Sequence, residues 1–182
     1  LIRHTLILAI AATDMFHIYT GESKGKTTAS VGLAVRALGA GLSVLFVSYF
    51  KPDGSSEHDQ LKRLGAGFMR FKARGNFFKR YDKEDLDEAK TEFADFFVDV
   101  EAETPEYDLI VLDEIVYAQH MGLIDTEKLI DYARLYKDDH EIVMTGRDFP
   151  EELVQVADYV TEMTKIKHPF DEGAQPRKGI EF

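Results

Sequence analysis

The stretch Phe16-His-Ile-Tyr-Thr20 runs directly into Gly21-Glu-Ser-Lys-Gly25 and then into Lys26-Thr-Thr-Ala-Ser-Val-Gly-Leu-Ala-Val-Arg-Ala-Leu38. Its first part favours a strand, its middle is a glycine and lysine loop, and Thr27 to Leu38 reads as a helix ended by Gly39 and Gly41. Strand, loop and helix in that order are the setting of a phosphate-binding loop, G-x-x-x-x-G-K-[ST], at Thr20 to Thr27. Thr20 stands where the first glycine is expected; counted from Gly21, only three residues precede Gly25, so either the loop is shortened or Thr20 takes the turn. Physically, the glycines let backbone N–H groups close around phosphate oxygens, Lys26 adds a charge, and Thr27 offers a hydroxyl to magnesium. The helix beginning there turns its positive end to the same anion. A Gly-Lys-Thr tripeptide alone arises by chance in on the order of one chain in ten of this length. The flanking strand and helix carry the assignment.

Outward from this point the chain continues in alternation. Ser43 to Phe50 (SVLFVSYF) is a near-continuous β-favouring run of the kind buried on both faces in parallel sheets. The turn-rich Lys51 to Ser56 leads to a helix around Glu57 to Leu64 and a strand at Gly67 to Lys72. From Leu86, Ala89, Phe93, Phe96, Phe97 and Val100 share one helical face, a crossover helix. Strands are expected at Tyr107 to Leu112, Glu141 to Thr145 and Tyr159 to Met163. Helices are expected at Ile115 to Met121, Thr126 to Tyr136 and from Pro150 to Val156, before an irregular tail. This order predicts an α/β fold: a doubly wound, mostly parallel sheet of the phosphate-loop NTPase kind, with ligands at the carboxyl ends of the strands.

Composition sets the outer bounds. The 182 residues are 45% hydrophobic and 30% charged, as in one soluble domain with a real core. No cysteine is present, which removes disulfides, thiolate metal sites and thiol nucleophiles and suits a cytoplasmic protein. With 22 Lys plus Arg against 33 Asp plus Glu, the net charge of -11 argues against nucleic-acid and membrane partners and demands a local cationic pocket for any anion. Leu6 to Ala12 is apolar but far shorter than the roughly 20 residues that span a bilayer. Met15 directly precedes the first convincing strand, so residues 1 to 14 read as an upstream or non-native extension and 15 to 182 as a single domain, the alternative for the extension being an extra edge strand.

Asp113 and Glu114 end a buried strand where phosphate-loop proteins place a carboxylate for magnesium, although a helix N-cap with a first-turn acid has the same appearance. Arg147, in Thr145-Gly-Arg147, ends the next strand and reaches either the ligand or a structural salt bridge. Phe77 and Phe78 follow the basic loop Arg74-Gly75-Asn76, where they either face a flat apolar ligand or tuck into the core. His168, in Lys167-His-Pro169, has no second histidine or cysteine at metal-ligand spacing.

Taken together, the residues resemble the ATP:corrinoid adenosyltransferases that carry a phosphate-binding loop. The resemblance runs from Phe16 to Phe182 and rests on Gly21-Glu-Ser-Lys-Gly-Lys-Thr-Thr28, Gly32-Leu-Ala-Val-Arg-Ala-Leu-Gly39, Val111-Leu-Asp-Glu-Ile115, Thr145-Gly-Arg147, Ala157-Asp-Tyr-Val-Thr-Glu162, Lys167-His-Pro169 and Lys178-Gly-Ile-Glu-Phe182. The shortened loop spacing is a feature of that family. The resemblance implies that Co(I) of a reduced corrinoid attacks the 5′-carbon of ATP and triphosphate leaves whole, with ATP reversed along the loop relative to ordinary NTPases. By position it implies that the loop from Gly21 through Ser23 and Lys24 to Thr28, together with Arg36, holds the triphosphate of ATP, and that Thr27 and Glu114 hold Mg2+ or Mn2+; Arg147 as an ATP ligand and Asp113 as a metal ligand are added from their places at the strand ends. Phe77 and Phe78 would then face the corrinoid. Arg36 is singled out by the resemblance alone, and Glu22 departs from the Asn or other polar residue frequent in the family. Further implications are a homodimer and an electron-donating reductase or flavoprotein as partner. The competing readings are an ordinary phosphate-loop ATPase or kinase, with Lys26 on the γ-phosphate and Glu114 orienting a nucleophile, and a nucleotide-binding regulator without turnover.

Overall fold

A computed structural model of the chain describes residues 14–51, 55–72 and 83–181. The expected alternation is present: β1 (Phe16–Thr20), α1 (Lys26–Gly39), β2 (Val44–Tyr49), α2 (Ser56–Arg63), β3 (Gly67–Phe71), α3 (Lys83–Glu103), β4 (Leu109–Asp113), α4 (Val116–His120), α5 (Thr126–Tyr136), β5 (Glu141–Thr145), α6 (Glu151–Val154) and β6 (Tyr159–Glu162). The strands form one sheet in the order β3-β2-β4-β5-β1-β6. Every pairing among the described strands is parallel. All strands therefore end at the same edge of the sheet.

The central strands are buried on both faces because helices cover both. On one side Ala34 and Ala37 of α1 and Leu61 of α2 pack against Phe46, Val111 and Val143. On the other, Phe93, Phe97 and Val100 of α3 and Leu129, Tyr132 and Ala133 of α5 pack against Leu45, Val47, Ile110, Leu112, Ile142 and Met144. Residues one apart along β2, β4 and β5 thus feed opposite cores, which explains why these strands read as unbroken apolar runs. Alanines at Ala34 and Ala37 let α1 lie close over the sheet centre and carry its N-terminus to the strand ends. β6 is exposed along its length at one edge.

Parallel pairing brings together residues far apart in sequence. Met163 N–H donates to Thr20 O, and Ser23 N–H donates to Met163 O, fastening the loop to the end of β6. Gly21 sits at φ 103°, and a Cβ there would lie 2.6 Å from Met163 O. Only glycine meets both conditions, so the tight exit from β1 is made at Gly21.

Candidate functional site

The N-terminus of α1 opens on a cleft of about 490 Å³, within the range of small-ligand sites. Glu22, Ser23, Lys24, Gly25, Lys26, Thr27 and Thr28 form one wall. Lys51, Glu57, Glu114, Tyr117, Arg147 and His168 complete the surround with the tail at Gly179 to Glu181. Gly25 is the helix N-cap at φ 126°, with no side chain capping it and no acid in the first turn. The positive end of α1 is thus left facing the cleft.

Lys26 is buried, unlike most lysines in loops. It is 5% exposed, and Nζ donates to Gly21 O at 2.6 Å and to Ser23 O at 2.9 Å, so the loop is wound around its own cation. Burial lowers its pKa, with the Glu114 carboxylate opposing that shift. These carbonyls hold the ammonium at the cleft wall.

Behind the loop, Asp113 is fully buried and collects several donors. Thr27 Oγ1 donates to Asp113 Oδ1 at 2.9 Å, and Thr145 Oγ1 donates to the same oxygen at 2.8 Å. Lys51 Nζ lies 2.6 Å from Asp113 Oδ2, donates to Thr27 Oγ1 at 3.0 Å and pairs with Glu57 Oε1 at 3.3 Å. Burial alone depresses the Lys51 ammonium's pKa, but Asp113 and then Glu57 more than offset this and raise it. Asp113 is not the helix cap that its sequence position also suggested: α4 starts at Val116, Ile115 is at its N-cap, and no side chain caps it.

Glu114 adopts φ 65°, a conformation that non-glycine residues seldom take, and its N–H donates to Thr145 Oγ1 at 2.9 Å. That turn points Asp113 inward while Glu114 lines the cleft. Burial, followed by the neighbouring Asp113 charge, raises the Glu114 pKa, and Glu114 Oε2 is buried without a hydrogen-bond partner. Phe50 at φ 56° likewise turns the chain at the end of β2 before Lys51.

No group of three or more His, Cys, Asp or Glu side chains among the described residues forms a metal site unaided. The donors at hand are a hydroxyl and two carboxylates, one with an oxygen unused. They fit a hard divalent ion that draws its remaining ligands from phosphate and water, as magnesium does in nucleotide sites.

The structure thus brings Ser23, Lys24, Gly25, Lys26, Thr27 and Thr28 of the loop to one cleft with Glu22, Glu114 and Arg147, with Asp113 directly behind. Thr20 and Gly21 form the loop's root at the end of β1. Arg147 lines the cleft and pairs with Glu22 at 2.9 Å, which is the salt bridge that its position suggested as one of two alternatives. Arg36 lies in the last turn of α1, exposed and away from the cleft lining. Phe77 and Phe78 lie outside the described residues.

Sequence reasoning missed Lys51, Thr145 as the link between Asp113 and Glu114, and the tail. Lys24 Nζ reaches Glu181 Oε1 at 3.1 Å, which draws the chain end across the cleft mouth. A lysine directly after a buried strand was the one available signal for Lys51. No local signal marked the tail contact.

Residues 12–182 match the family model described as ATP:corrinoid adenosyltransferase BtuR/CobO/CobP. The corrinoid adenosyltransferase CobA of Salmonella typhimurium is 30% identical over 176 residues, covering 91% of this chain and 84% of its own length. Corrinoid adenosyltransferases of Pseudomonas aeruginosa and Escherichia coli are each 29% identical over 91% of this chain, and the match covers 82% and 84% of their own lengths. With a family model matched over nearly the whole chain, the chain belongs to the ATP:corrinoid adenosyltransferase family.

Proposed function

We propose that this protein transfers the 5′-deoxyadenosyl group of ATP to the cobalt of a reduced corrinoid and releases inorganic triphosphate. The observation that carries the reading is the family match over residues 12–182, which includes the shortened loop that opens α1. Cobalt, part of the second substrate, supplies the nucleophile. Its electron pair forms the bond to C5′, the C5′–O bond breaks, and the pair from that bond leaves on the triphosphate. The protein's work is to position the substrates, stabilise charge on the leaving group and exclude water.

In this reading the α1 N-terminus, Lys26, Lys24 and Arg147 hold the triphosphate, with Arg147 released from Glu22 as phosphate arrives. Thr27 and Glu114 hold Mg2+ or Mn2+ with Asp113 fixing Thr27, and the bound ion neutralises triphosphate charge. Arg36 serves the triphosphate by family position, and Phe77 and Phe78 face the corrinoid. The account further includes a cytoplasmic homodimer served by an electron-donating reductase or flavoprotein. Residues 15–182 are taken as the catalytic unit, since the Met15 carbonyl already accepts from Ile142 N–H at the start of the β1–β5 ladder inside the sheet. A chain lacking residues 1–14 is expected to keep turnover, and loss of folding would reject that boundary.

Phosphorus NMR of the products tests the reading. Triphosphate formed only when reduced corrinoid is present supports it, whereas steady ADP release without corrinoid supports an ordinary ATPase.

A further inference from the structure

Lys51 is a cleft cation to which no role has yet been given. Its Nζ lies 2.6 Å from Asp113 Oδ2, 3.0 Å from Thr27 Oγ1 and 3.3 Å from Glu57 Oε1, with its side chain 17% exposed. Two of those oxygens belong to the Thr27 hydroxyl and Asp113 carboxylate at the proposed metal position, and Glu57 and Glu114 contribute further negative charge close by. An ammonium and a dication cannot share the same oxygens at such range, because like charges repel strongly where water screens little. Yet the acids need a cation in both states, since a fully buried carboxylate such as Asp113 is costly without one.

We propose that Lys51 is the protein's own stand-in for the metal: it neutralises Asp113 at Thr27 while nucleotide is absent, bars free divalent ions, and yields its place when metal arrives together with ATP. Resting on the adenosyltransferase reading of the cleft, this deepens it by ordering the events. The flexible four-carbon stem lets the ammonium swing from Asp113 to a phosphate oxygen in the same cleft, so the positive charge displaced by the metal is spent on the triphosphate. Metal binding therefore depends on nucleotide, and idle enzyme is not loaded by free ions.

The test measures Mn2+ binding to nucleotide-free protein by electron paramagnetic resonance, and Mg-ATP binding by calorimetry as a separate arm. Wild type should bind free Mn2+ weakly and Mg-ATP well. Lys51→Met should bind free Mn2+ at least about tenfold more tightly, since the acids lose their built-in cation. Lys51→Gln, with a milder change in the pocket, should show the same gain. Adding Asp113→Asn to Lys51→Met should abolish that gain, which assigns the new affinity to the Asp113 carboxylate. A residue with a structural role only would raise no metal affinity. Tight Mn2+ binding by nucleotide-free wild type, or no gain in the folded Lys51 variants, overturns the proposal. Failure of wild type to bind Mg-ATP overturns the reading of the cleft, and the proposal with it.

Discussion

Thr145→Val is the substitution that most directly probes how the cleft is held together. Its hydroxyl is fully buried, donates to Asp113 Oδ1 at 2.8 Å and accepts the Glu114 N–H at 2.9 Å. Valine has nearly the same shape, so no cavity forms and the loss is one of hydrogen bonding. Stranding a buried N–H costs about 1–3 kcal/mol, and losing a bond to a charged group costs about 1.5–3 kcal/mol. Because the two losses share one site and the chain relaxes, a total of about 2–4 kcal/mol is expected. For a chain of this size that lowers Tm by about 4–16 °C. Thr145→Ser keeps the hydroxyl and gives up one methyl, about 1 kcal/mol. The Glu114 turn at φ 65° also loses its anchor, so Mg-ATP affinity should fall with stability in Val but not in Ser. Thermal and urea unfolding of both variants, with calorimetry of Mg-ATP, gives the comparison. A Thr145→Val protein within about 0.5 kcal/mol of wild type would refute the argument that this hydroxyl joins β4 to β5.

Other consequences are more local. Lys26→Ala should remove most ATP affinity by calorimetry while the chain stays folded, since its bonds run only to the Gly21 and Ser23 carbonyls of the loop. Replacing Phe77 and Phe78 together with alanine should leave ATP affinity near wild type and lower kcat/KM for the corrinoid; a loss of about 3–5 kcal/mol per residue would instead assign them to the core. Ser43 N–H and Oγ–H both donate to Asp108 Oδ2 at 2.7 Å, and these bonds, the backbone one foremost, hold its carboxyl below the ordinary 3.8. A depressed folded pKa stabilises above the unfolded value and is lost as pH falls through the folded one. Asp108→Asn should therefore flatten the acid limb of a Tm against pH curve below about pH 4 and change nothing in its slope near neutrality.

Much of the architecture could be read from the chain because strong apolar runs and glycine punctuation coincide with real boundaries. β1, α5 and β5 span the residues expected of them. β4 starts at Leu109 rather than Tyr107, since Tyr107 is taken up by the exit from a short 3-10 turn at Thr104–Glu106. The loop and the acids at Asp113 and Glu114 were legible as motifs. What was not legible depends on tertiary closure: Thr27 and Asp113 are 86 residues apart, and only the sheet order sets them face to face. Lys51 read as part of a polar loop because nothing local shows that the end of β2 faces the end of β4. Burial of Lys26 is hidden for the same reason, since it follows from carbonyls that turn inward only after Gly21 and Gly25 take positive φ.

The central claim is that a carbon atom moves and not a phosphoryl group. ATP labelled with carbon-13 at C5′, incubated anaerobically with Mg2+, reduced corrinoid and this protein, follows that atom directly by NMR. The account predicts that the label appears in a cobalt-bound methylene, in step with triphosphate release, and leaves that position on exposure to light. A label that stays in ADP or unreacted ATP while phosphate accumulates would contradict it.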